Sequence, residues 1–235
     1  MSRRTSERLV GHPAPTPVIT LRALDLTHPG WDLARAAADL AEGERARADR
    51  GVASVRRRRL LVRSGLRRVL GRLLDVAPND VPLVTVDGRP TLPGSGLGLS
   101  CSASEGVAVV AVAAGATVGV DVQRHRDEEA ADAAAEGWLG PAERARLAVL
   151  PPGPDRLRAV TRCWTQKEAV LKAQGTGLRH PLHGVVTPVA ATGRVGPWRL
   201  VPVAVPEGYV ASLACDAPLG AGDLAVAPLT PGGSR

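Results

Sequence analysis

Two polar side chains interrupt an otherwise apolar segment at residues 119–123. Asp121 and Gln123 alternate with valines there, so an extended strand would place both on one face. An aspartate inside an apolar strand is costly unless something pairs with it. A carboxylate beside an amide oxygen suits a hard cation such as Mg²⁺. Two interpretations stay open at this point: Asp121 binds a cation, or the strand ends there and Asp121 caps a turn.

A second set of charged side chains shares one face of a predicted helix from Asp155 to Gln174. Trp164, Glu168 and Lys172 are spaced four residues apart. Burial beside an apolar ring raises the pKa of a glutamate and a nearby cation lowers it, which is how a general base is tuned. The alternative is a surface ion pair worth under about 1 kcal/mol. We expect Trp164 to pack in the core, and Lys167 either assists or is structural.

Basic and hydroxyl-bearing segments precede these two. Residues 42–72 hold eleven arginines and three acidic residues, and Arg59, Arg63 and Arg67 form a ladder along one helix face. This charge indicates nucleic acid, a polyphosphate ligand or an acidic protein as partner, unless it is simply a solvated face. The segment lacks the aromatic side chains on which single-stranded nucleic acid would stack. Serines at 100–104 suit either a phosphate site or a plain turn.

The elements that must position these residues are helices and strands in alternating groups. We predict a loose tail over 1–16 and an α+β fold, in which helices are followed by strands twice over. The predicted helices span 31–42, 52–75, 128–136, 141–149 and 155–174, with Asp155 as N-cap and Gly175 just past the last helix. The predicted strands span 81–86, 107–113, 117–122, 184–189, 198–204, 208–214 and 223–227, with a turn over 87–90, a glycine- and serine-rich loop over 93–104 and a hairpin joining 107–113 to 117–122.

Composition excludes several classes of protein. The chain has 235 residues, 44% of them hydrophobic, and a net charge of +7, so it is too apolar to be disordered. It contains no apolar run long enough for a membrane span, and its first residues lack the apolar region of a secretory signal. The cysteines at 101, 163 and 215 lack metal-ligand spacing. We expect a cytoplasmic protein with reduced cysteines.

Taken together, the motifs resemble one family. The strand G-V-D-V-Q is followed, 43 residues after its aspartate, by W-x-x-K-E-x-x-x-K-x-x-G-x-G. A G-R-P turn (88–90) and an S-A-S segment (102–104) lie upstream, and an Arg-rich helix lies N-terminal to both. Over roughly residues 35–225 this pattern resembles the Sfp-type 4′-phosphopantetheinyl transferases. The W-x-x-K-E-x-x-x-K motif with the upstream aspartate is specific, whereas the turn and the basic helix are weak alone.

The resemblance implies an enzyme and an architecture. Such enzymes transfer 4′-phosphopantetheine from coenzyme A to a serine of an apo acyl or peptidyl carrier protein, with Mg²⁺ as cofactor and 3′,5′-ADP as by-product. Their fold is a pseudo-dimer of two similar α+β halves with coenzyme A in the cleft between them. Here the halves would be 17–115, gripping coenzyme A, and 116–235, holding the metal and the catalytic groups. A monomer is expected, because a pseudo-dimer needs no second copy.

The resemblance also implies roles for the residues in the specific motif. Asp121 and Glu168 would bind Mg²⁺, and Glu168 would accept the proton of the carrier serine. Lys172 would contact the phosphate and help its departure. The predicted catalytic residues are thus Glu168, Lys172 and Asp121. Gln123 stands where the family has a glutamate; it still offers an amide oxygen to the metal, but the site has one negative charge fewer.

Coenzyme A would be held by Arg58, Arg89, Ser102 and Lys172. The arginine could equally be Arg56, Arg57 or Arg59, because four arginines are consecutive. Ala103 replaces a histidine expected to reach a phosphate, which would cost about 1.5–3 kcal/mol of binding unless other cations compensate. Two rival interpretations remain: a degenerate homologue that binds coenzyme A or a carrier protein without transfer, and a nucleic-acid-binding protein. We expect neither nucleic acid nor a membrane as partner.

Overall fold

The protein is described by a computed structural model over residues 17–125, 137–176, 181–219 and 224–231. In this part of the chain the helices are α1 (Leu33–Ala38), α2 (Glu42–Asp49), α3 (Ala53–Leu74), α4 (Pro141–Ala148) and α5 (Pro154–Gln174). The strands are β1 (Val18–Asp25), β2 (Val84–Val86), β3 (Arg89–Thr91), β4 (Leu97–Ser104), β5 (Val107–Ala114), β6 (Val118–Arg124), β7 (Gly193–Val195), β8 (Trp198–Val203), β9 (Tyr209–Cys215) and β10 (Val226–Pro228). Short 3₁₀ turns occupy Pro78–Asp80 and Leu182–Gly184.

Two halves repeat one topology. In the first, β1 is followed by the long helix α3 and then by β4 and β5, and the sheet runs β10-β1-β5-β4. In the second, β6 is followed by the long helix α5 and then by β8 and β9, and the sheet runs β6-β9-β8-β7. Each half therefore pairs its first strand antiparallel with its last. The predicted α+β fold with two similar halves is confirmed.

Alternation along β5 explains how the layers stack. Its even-numbered residues, such as Val110 and Val112, join the core beneath α3. Its odd-numbered residues, such as Val109 and Ala113, join a second core with Val120 and other residues of the second sheet. Because successive side chains of a strand point to opposite faces, a strand that is apolar throughout can serve two cores at once. The sheets pack against each other, and α3 and α5 lie on their outer faces.

The predicted hairpin between residues 107–113 and 117–122 is wrong. Strands β5 and β6 belong to different sheets, because β5 is already paired on both sides, with β1 and with β4. The chain leaves one sheet and enters the other through Gly115, whose φ of 75° is readily adopted only by glycine. Two adjacent valine-rich runs indicate strands, but they do not show which partner each strand takes.

Other local predictions also need correction. The predicted loop over 93–104 is largely β4, and residues 185–189 form no strand. The predicted helix over 31–42 is the shorter α1, followed by α2, which was not expected. The N-cap of α5 is Gly153, so Asp155 lies inside the first turn. The predicted helix over 128–136 lies outside the described residues.

The last described strand crosses from the second half to the first. Strand β10 pairs in parallel with β1, and Leu229 just beyond it is buried against the core beneath α3. The backbone N–H of Leu229 donates to the carbonyl oxygen of Ala23 at 2.8 Å. The end of the predicted second half (116–235) thus completes the sheet of the first half. Seven predicted elements have bounds within two residues of those expected: α3, α4, α5, β5, β6, β8 and β9.

Candidate active site

The site forms where α5 lies unusually close to β6. A Cβ atom at Gly119 would lie 2.0 Å from the carbonyl oxygen of Ala169, so no larger residue fits there. The glycine of the G-V-D-V-Q strand therefore lets helix and strand backbones approach. This contact carries the side chains of Glu168 and Lys172 toward the carboxylate of Asp121.

Asp121 is almost fully buried, with 2% of its surface exposed. Its Oδ1 atom accepts hydrogen bonds from Lys172 Nζ and from Ser102 Oγ, both at 2.6 Å. Lys172 Nζ also donates to the carbonyl oxygen of Val120 at 3.1 Å. The other carboxylate oxygen, Oδ2, is buried and accepts no hydrogen bond within the described chain. Two side-chain hydrogen bonds thus hold Oδ1 of Asp121, whereas Oδ2 stays available to a ligand.

Glu168 is the second carboxylate of the site. Burial raises its pKa, the charge of Asp121 raises it further, and the Lys172 ammonium partly offsets both. Its Oε1 atom is buried, and no described residue donates to it. The predicted association of Asp121, Glu168 and Lys172 is therefore present in space. Lys172 pairs with Asp121 rather than with Glu168 four residues before it on the helix.

These atoms suit a divalent cation. A buried carboxylate oxygen without a partner is energetically expensive, and a bound cation or a proton donor would relieve that cost. Mg²⁺ is typically held by one or two carboxylates together with substrate phosphates and water, so two carboxylates are enough. Within the described ranges no group of three or more His, Cys, Asp or Glu side chains forms a complete protein-only metal site. The predicted third ligand, Gln123, accepts at Oε1 from Ser104 Oγ at 3.2 Å.

A basic cleft of about 790 Å³ opens beside the carboxylates. Lys172, Ser102 and Ala103 are among the residues that line it. Its wall carries arginines from α2, from α3 and from the turn between them: Arg47, Arg50, Arg58, Arg59 and Arg63. The Nη1 atom of Arg63 is buried and donates to nothing in the described chain. A concave wall of guanidinium groups with an unused donor is suited to a ligand carrying several phosphates.

The four consecutive arginines of α3 separate into different environments. Arg56 pairs with Asp49 at 2.7 Å on the exposed surface. Arg57 donates to the carbonyl oxygens of Leu26 and His28, which fixes the end of β1 to the helix. Arg58 and Arg59 line the cleft, and Arg59 also donates to the carbonyl oxygen of Arg47. The geometry therefore leaves two of the four arginines beside the cleft.

Arg89 lies at the C-terminal end of α5. Its Nη2 atom donates to the main-chain carbonyl oxygen of Lys172. A Cβ atom at Gly175 would collide with the same guanidinium, and Gly175 has a left-handed φ of 82°. Burial lowers the pKa of Arg89, and the carbonyl end of a helix attracts its charge. The G-R-P turn is thus joined directly to the helix that bears Glu168 and Lys172.

The comparison with known protein families bears on the same residues. Residues 117–196 match the model of the 4′-phosphopantetheinyl transferase superfamily. The chain contains a domain of this superfamily. The match runs from the start of β6 past β7, so it includes Asp121, Glu168 and Lys172 but not the arginines of the cleft. No curated protein matches the chain.

Within this transferase-superfamily domain, Lys167 has a structural role. Its ammonium and the carboxylate of Glu143 are both fully buried and lie 2.7 Å apart. Lys167 Nζ also donates to the carbonyl oxygens of Leu182 and Val185. Trp164 packs edge-on against Trp138 with ring centroids 5.1 Å apart, as expected for a core residue. Within the W-x-x-K-E motif, Trp164 and Lys167 thus stabilise the fold, whereas Glu168 belongs to the candidate active site.

Three arginines that line the cleft, Arg47, Arg50 and Arg63, had no role predicted from the sequence. The four-residue spacing of Arg59, Arg63 and Arg67 in the sequence correctly indicates a shared face for the two that line the cleft, Arg59 and Arg63. Arg67 differs, because it is 1% exposed and pairs with Glu44 at 2.6 Å in the interior.

No described helix is both long and apolar enough to cross a membrane.

Proposed function

We propose that this protein is an Sfp-type enzyme that transfers 4′-phosphopantetheine from coenzyme A to a serine of an apo acyl or peptidyl carrier protein. The observation that supports this best is the pair of unpartnered buried oxygens, Asp121 Oδ2 and Glu168 Oε1. Asp121 is hydrogen-bonded to Ser102 and Lys172, which line the cleft together with its arginines. The family match points to the same transfer chemistry. The proposed by-product is 3′,5′-ADP.

In this proposal the cleft binds the phosphates of coenzyme A. Arg58 lines it beside Lys172, and the free Nη1 donor of Arg63 adds a further contact. Arg89 would contact the nucleotide from the G-R-P turn, as predicted from the resemblance. Several cations on one concave wall could replace the donor that is missing at Ala103, because each charge-assisted hydrogen bond to phosphate contributes on its own.

The chemistry is a substitution at phosphorus. The serine oxygen of the carrier forms a bond to the phosphorus that bears the pantetheine arm, and the bond from that phosphorus to the bridging diphosphate oxygen breaks. Glu168 takes the serine proton, and burial, which raises its pKa, makes it a stronger base. Lys172 stabilises the negative charge on the departing 3′,5′-ADP. Asp121 holds the Lys172 ammonium in place.

Asp121 and Glu168 would hold Mg²⁺, with Gln123 at the edge of the ligand set. When bound, Mg²⁺ neutralises charge that develops on the diphosphate. Gln123 contributes no charge, and its amide oxygen already accepts from Ser104. The cation should therefore bind more weakly here than at a site with three carboxylates.

The partner in this proposal is an acidic carrier protein. The exposed arginines around the cleft would attract a carrier whose acceptor serine is flanked by acidic residues. Both sides of the site come from one chain, since Ser102 and Asp121 belong to different halves and touch. A monomer is thus sufficient, and a cytoplasmic location fits such partners.

Intact-mass spectrometry tests the proposal. The protein is mixed with coenzyme A, Mg²⁺ and an apo carrier protein from a polyketide or peptide synthetase. We expect the carrier to gain the mass of one phosphopantetheine arm, and EDTA to abolish the gain. No gain on any of several carriers, with coenzyme A still bound, would contradict transfer. It would favour the second candidate function, a homologue that binds coenzyme A or a carrier protein without transfer. Ala103 and Gln123, which stand where the family has histidine and glutamate, are the residues that point to this candidate.

A further inference from the structure

Serines of one strand bridge the seam between the two sheets. Strands β4 and β6 are edge strands of different sheets and do not pair through their backbones. Instead, Ser100 Oγ accepts from the backbone N–H of Val120 at 2.9 Å. Ser104 Oγ accepts from the backbone N–H of Arg124 at 3.1 Å. Hydroxyl groups thus satisfy edge amides that would otherwise lack a partner.

Ser102 lies between these two serines and makes a different contact. Its hydroxyl meets the carboxylate Oδ1 of Asp121 at 2.6 Å rather than a backbone amide. In this hydrogen bond Ser102 Oγ is the donor and Asp121 Oδ1 the acceptor. Of the three seam serines, Ser102 is the one bonded to Asp121, whereas Ser104 donates to Gln123 at 3.2 Å.

The number of protons on Ser102 limits what else it can bind. A serine hydroxyl has a single proton, and here that proton is donated to Asp121. Phosphate oxygens of a nucleotide accept hydrogen bonds but carry almost no protons to donate at neutral pH. Ser102 therefore cannot hold a phosphate while it holds Asp121. This differs from the coenzyme A contact that the family resemblance implied.

We infer that Ser102 is a positioning residue, which orients the carboxylate of Asp121 for the divalent cation. Ser102 and Lys172 both donate to Oδ1, and Oδ2 is the oxygen left free. Outer hydrogen bonds of this kind fix the orientation of a ligating carboxylate and strengthen metal binding. The inference rests on the proposed function, because it concerns the cation of that same site. It also makes one half of the molecule responsible for metal affinity in the other.

Calorimetric titration with Mg²⁺, in saturating coenzyme A, tests this role on the full chain. We expect Ser102→Ala to weaken Mg²⁺ binding by about 10- to 100-fold. Ser102→Thr keeps the hydroxyl and should restore most of the affinity. Ser100→Ala is the matched control: it removes a hydrogen bond from the same seam without touching Asp121, so it should lower the melting temperature but leave Mg²⁺ affinity near that of the wild type.

A second titration separates positioning from phosphate binding. With EDTA present, Ser102→Ala should bind coenzyme A as tightly as the wild type does. Weaker coenzyme A binding in EDTA, together with unchanged Mg²⁺ affinity, would overturn the inference and return Ser102 to the phosphate site. Should Ser102→Ala fail to fold, Ser102→Thr and Ser102→Val carry the same comparison, because they are alike in shape and differ in the hydroxyl.

The two proposals fail in different ways. If the wild type binds no Mg²⁺ in coenzyme A and transfers nothing, the proposed function is overturned, and the inference with it. If the wild type binds Mg²⁺ and transfers the arm while Ser102→Ala keeps full Mg²⁺ affinity, only the positioning role is overturned.

Discussion

Helix α5 carries two charge clusters that differ in how completely their atoms are paired. In the inner cluster, Glu143 accepts hydrogen bonds from Lys167, from the backbone N–H of Gly140, and from both the backbone and the hydroxyl of Thr187. Lys167 uses its remaining donors on two backbone carbonyls. In the outer cluster of Asp121, Glu168 and Lys172, two carboxylate oxygens are buried and accept nothing from the described residues.

The difference in pairing distinguishes a cluster that stabilises the fold from a cluster that can bind a ligand. A buried charge pair with every donor and acceptor used holds elements together and has nothing left to offer a ligand. A buried cluster with unused oxygens keeps an energetic cost that a cation, a proton or a substrate can relieve. Residues 167 and 168 are neighbours in sequence, yet Lys167 belongs to the first kind and Glu168 to the second. The following predictions test that separation.

Glu168→Gln should have the largest effect, on turnover rather than on thermal stability. Loss of a general base and metal ligand should lower kcat by about 10²- to 10⁴-fold, measured as carrier modification by mass spectrometry. Thermal stability should not fall, because burial already disfavours the charge of Glu168. Glu207→Gln, at an exposed position far along the chain, is the matched control. Retained turnover in Glu168→Gln would remove it as the base.

Lys167→Met should show the opposite pattern. Removal of one partner leaves Glu143 charged and unpaired in the interior, which should cost about 3–5 kcal/mol of unfolding free energy. Lys172→Met is the comparison on the same helix: it should lower turnover strongly but cost less stability, because Lys172 is 28% exposed and Asp121 keeps its bond to Ser102. Urea unfolding measures both. Equal losses of stability would contradict the separation.

The stabilising effect of Glu143 should depend on pH. Burial alone would raise its pKa, but hydrogen bonds from Lys167, Thr187 and Gly140 outweigh burial and lower it. Its contribution is therefore present above the ordinary glutamate pKa and is lost as the pH falls through the lowered value. The difference in unfolding free energy between the wild type and Glu143→Gln should shrink toward acid pH. A difference that grows on acidification would reverse the assigned sign.

Gln123→Glu should produce a smaller change, confined to the outer cluster. A third carboxylate beside Asp121 should tighten Mg²⁺ binding and lower the Mg²⁺ concentration needed for half-maximal transfer. Unfolding free energy without metal should fall or stay level, because the added charge repels its neighbours. An unchanged Mg²⁺ requirement would place residue 123 outside the metal site, consistent with its bond to Ser104.

Sequence periodicity was sufficient to predict the long helices. The spacing of apolar residues predicted α3 and α5 nearly to their ends, and the W-x-x-K-E-x-x-x-K motif with its upstream aspartate selected the side chains that meet. It failed for β1, β3, β4 and β7. Strand β4 is rich in glycine and serine and β7 has only three residues, whereas β1 has the β-branched residues typical of a strand. Strand formation depends on partners across the sheet more than on the residues of the strand.

The sequence by itself determined which residue types are available: two carboxylates, a lysine and an excess of arginine at fixed spacings. The tertiary structure decided how each is used. It paired Lys172 with Asp121, buried Lys167 against Glu143, and placed Ser102 of one half on the carboxylate of the other. The reason is that spacing along a helix or strand fixes only local neighbours, whereas charge pairing in a buried site depends on contacts between residues far apart in the chain.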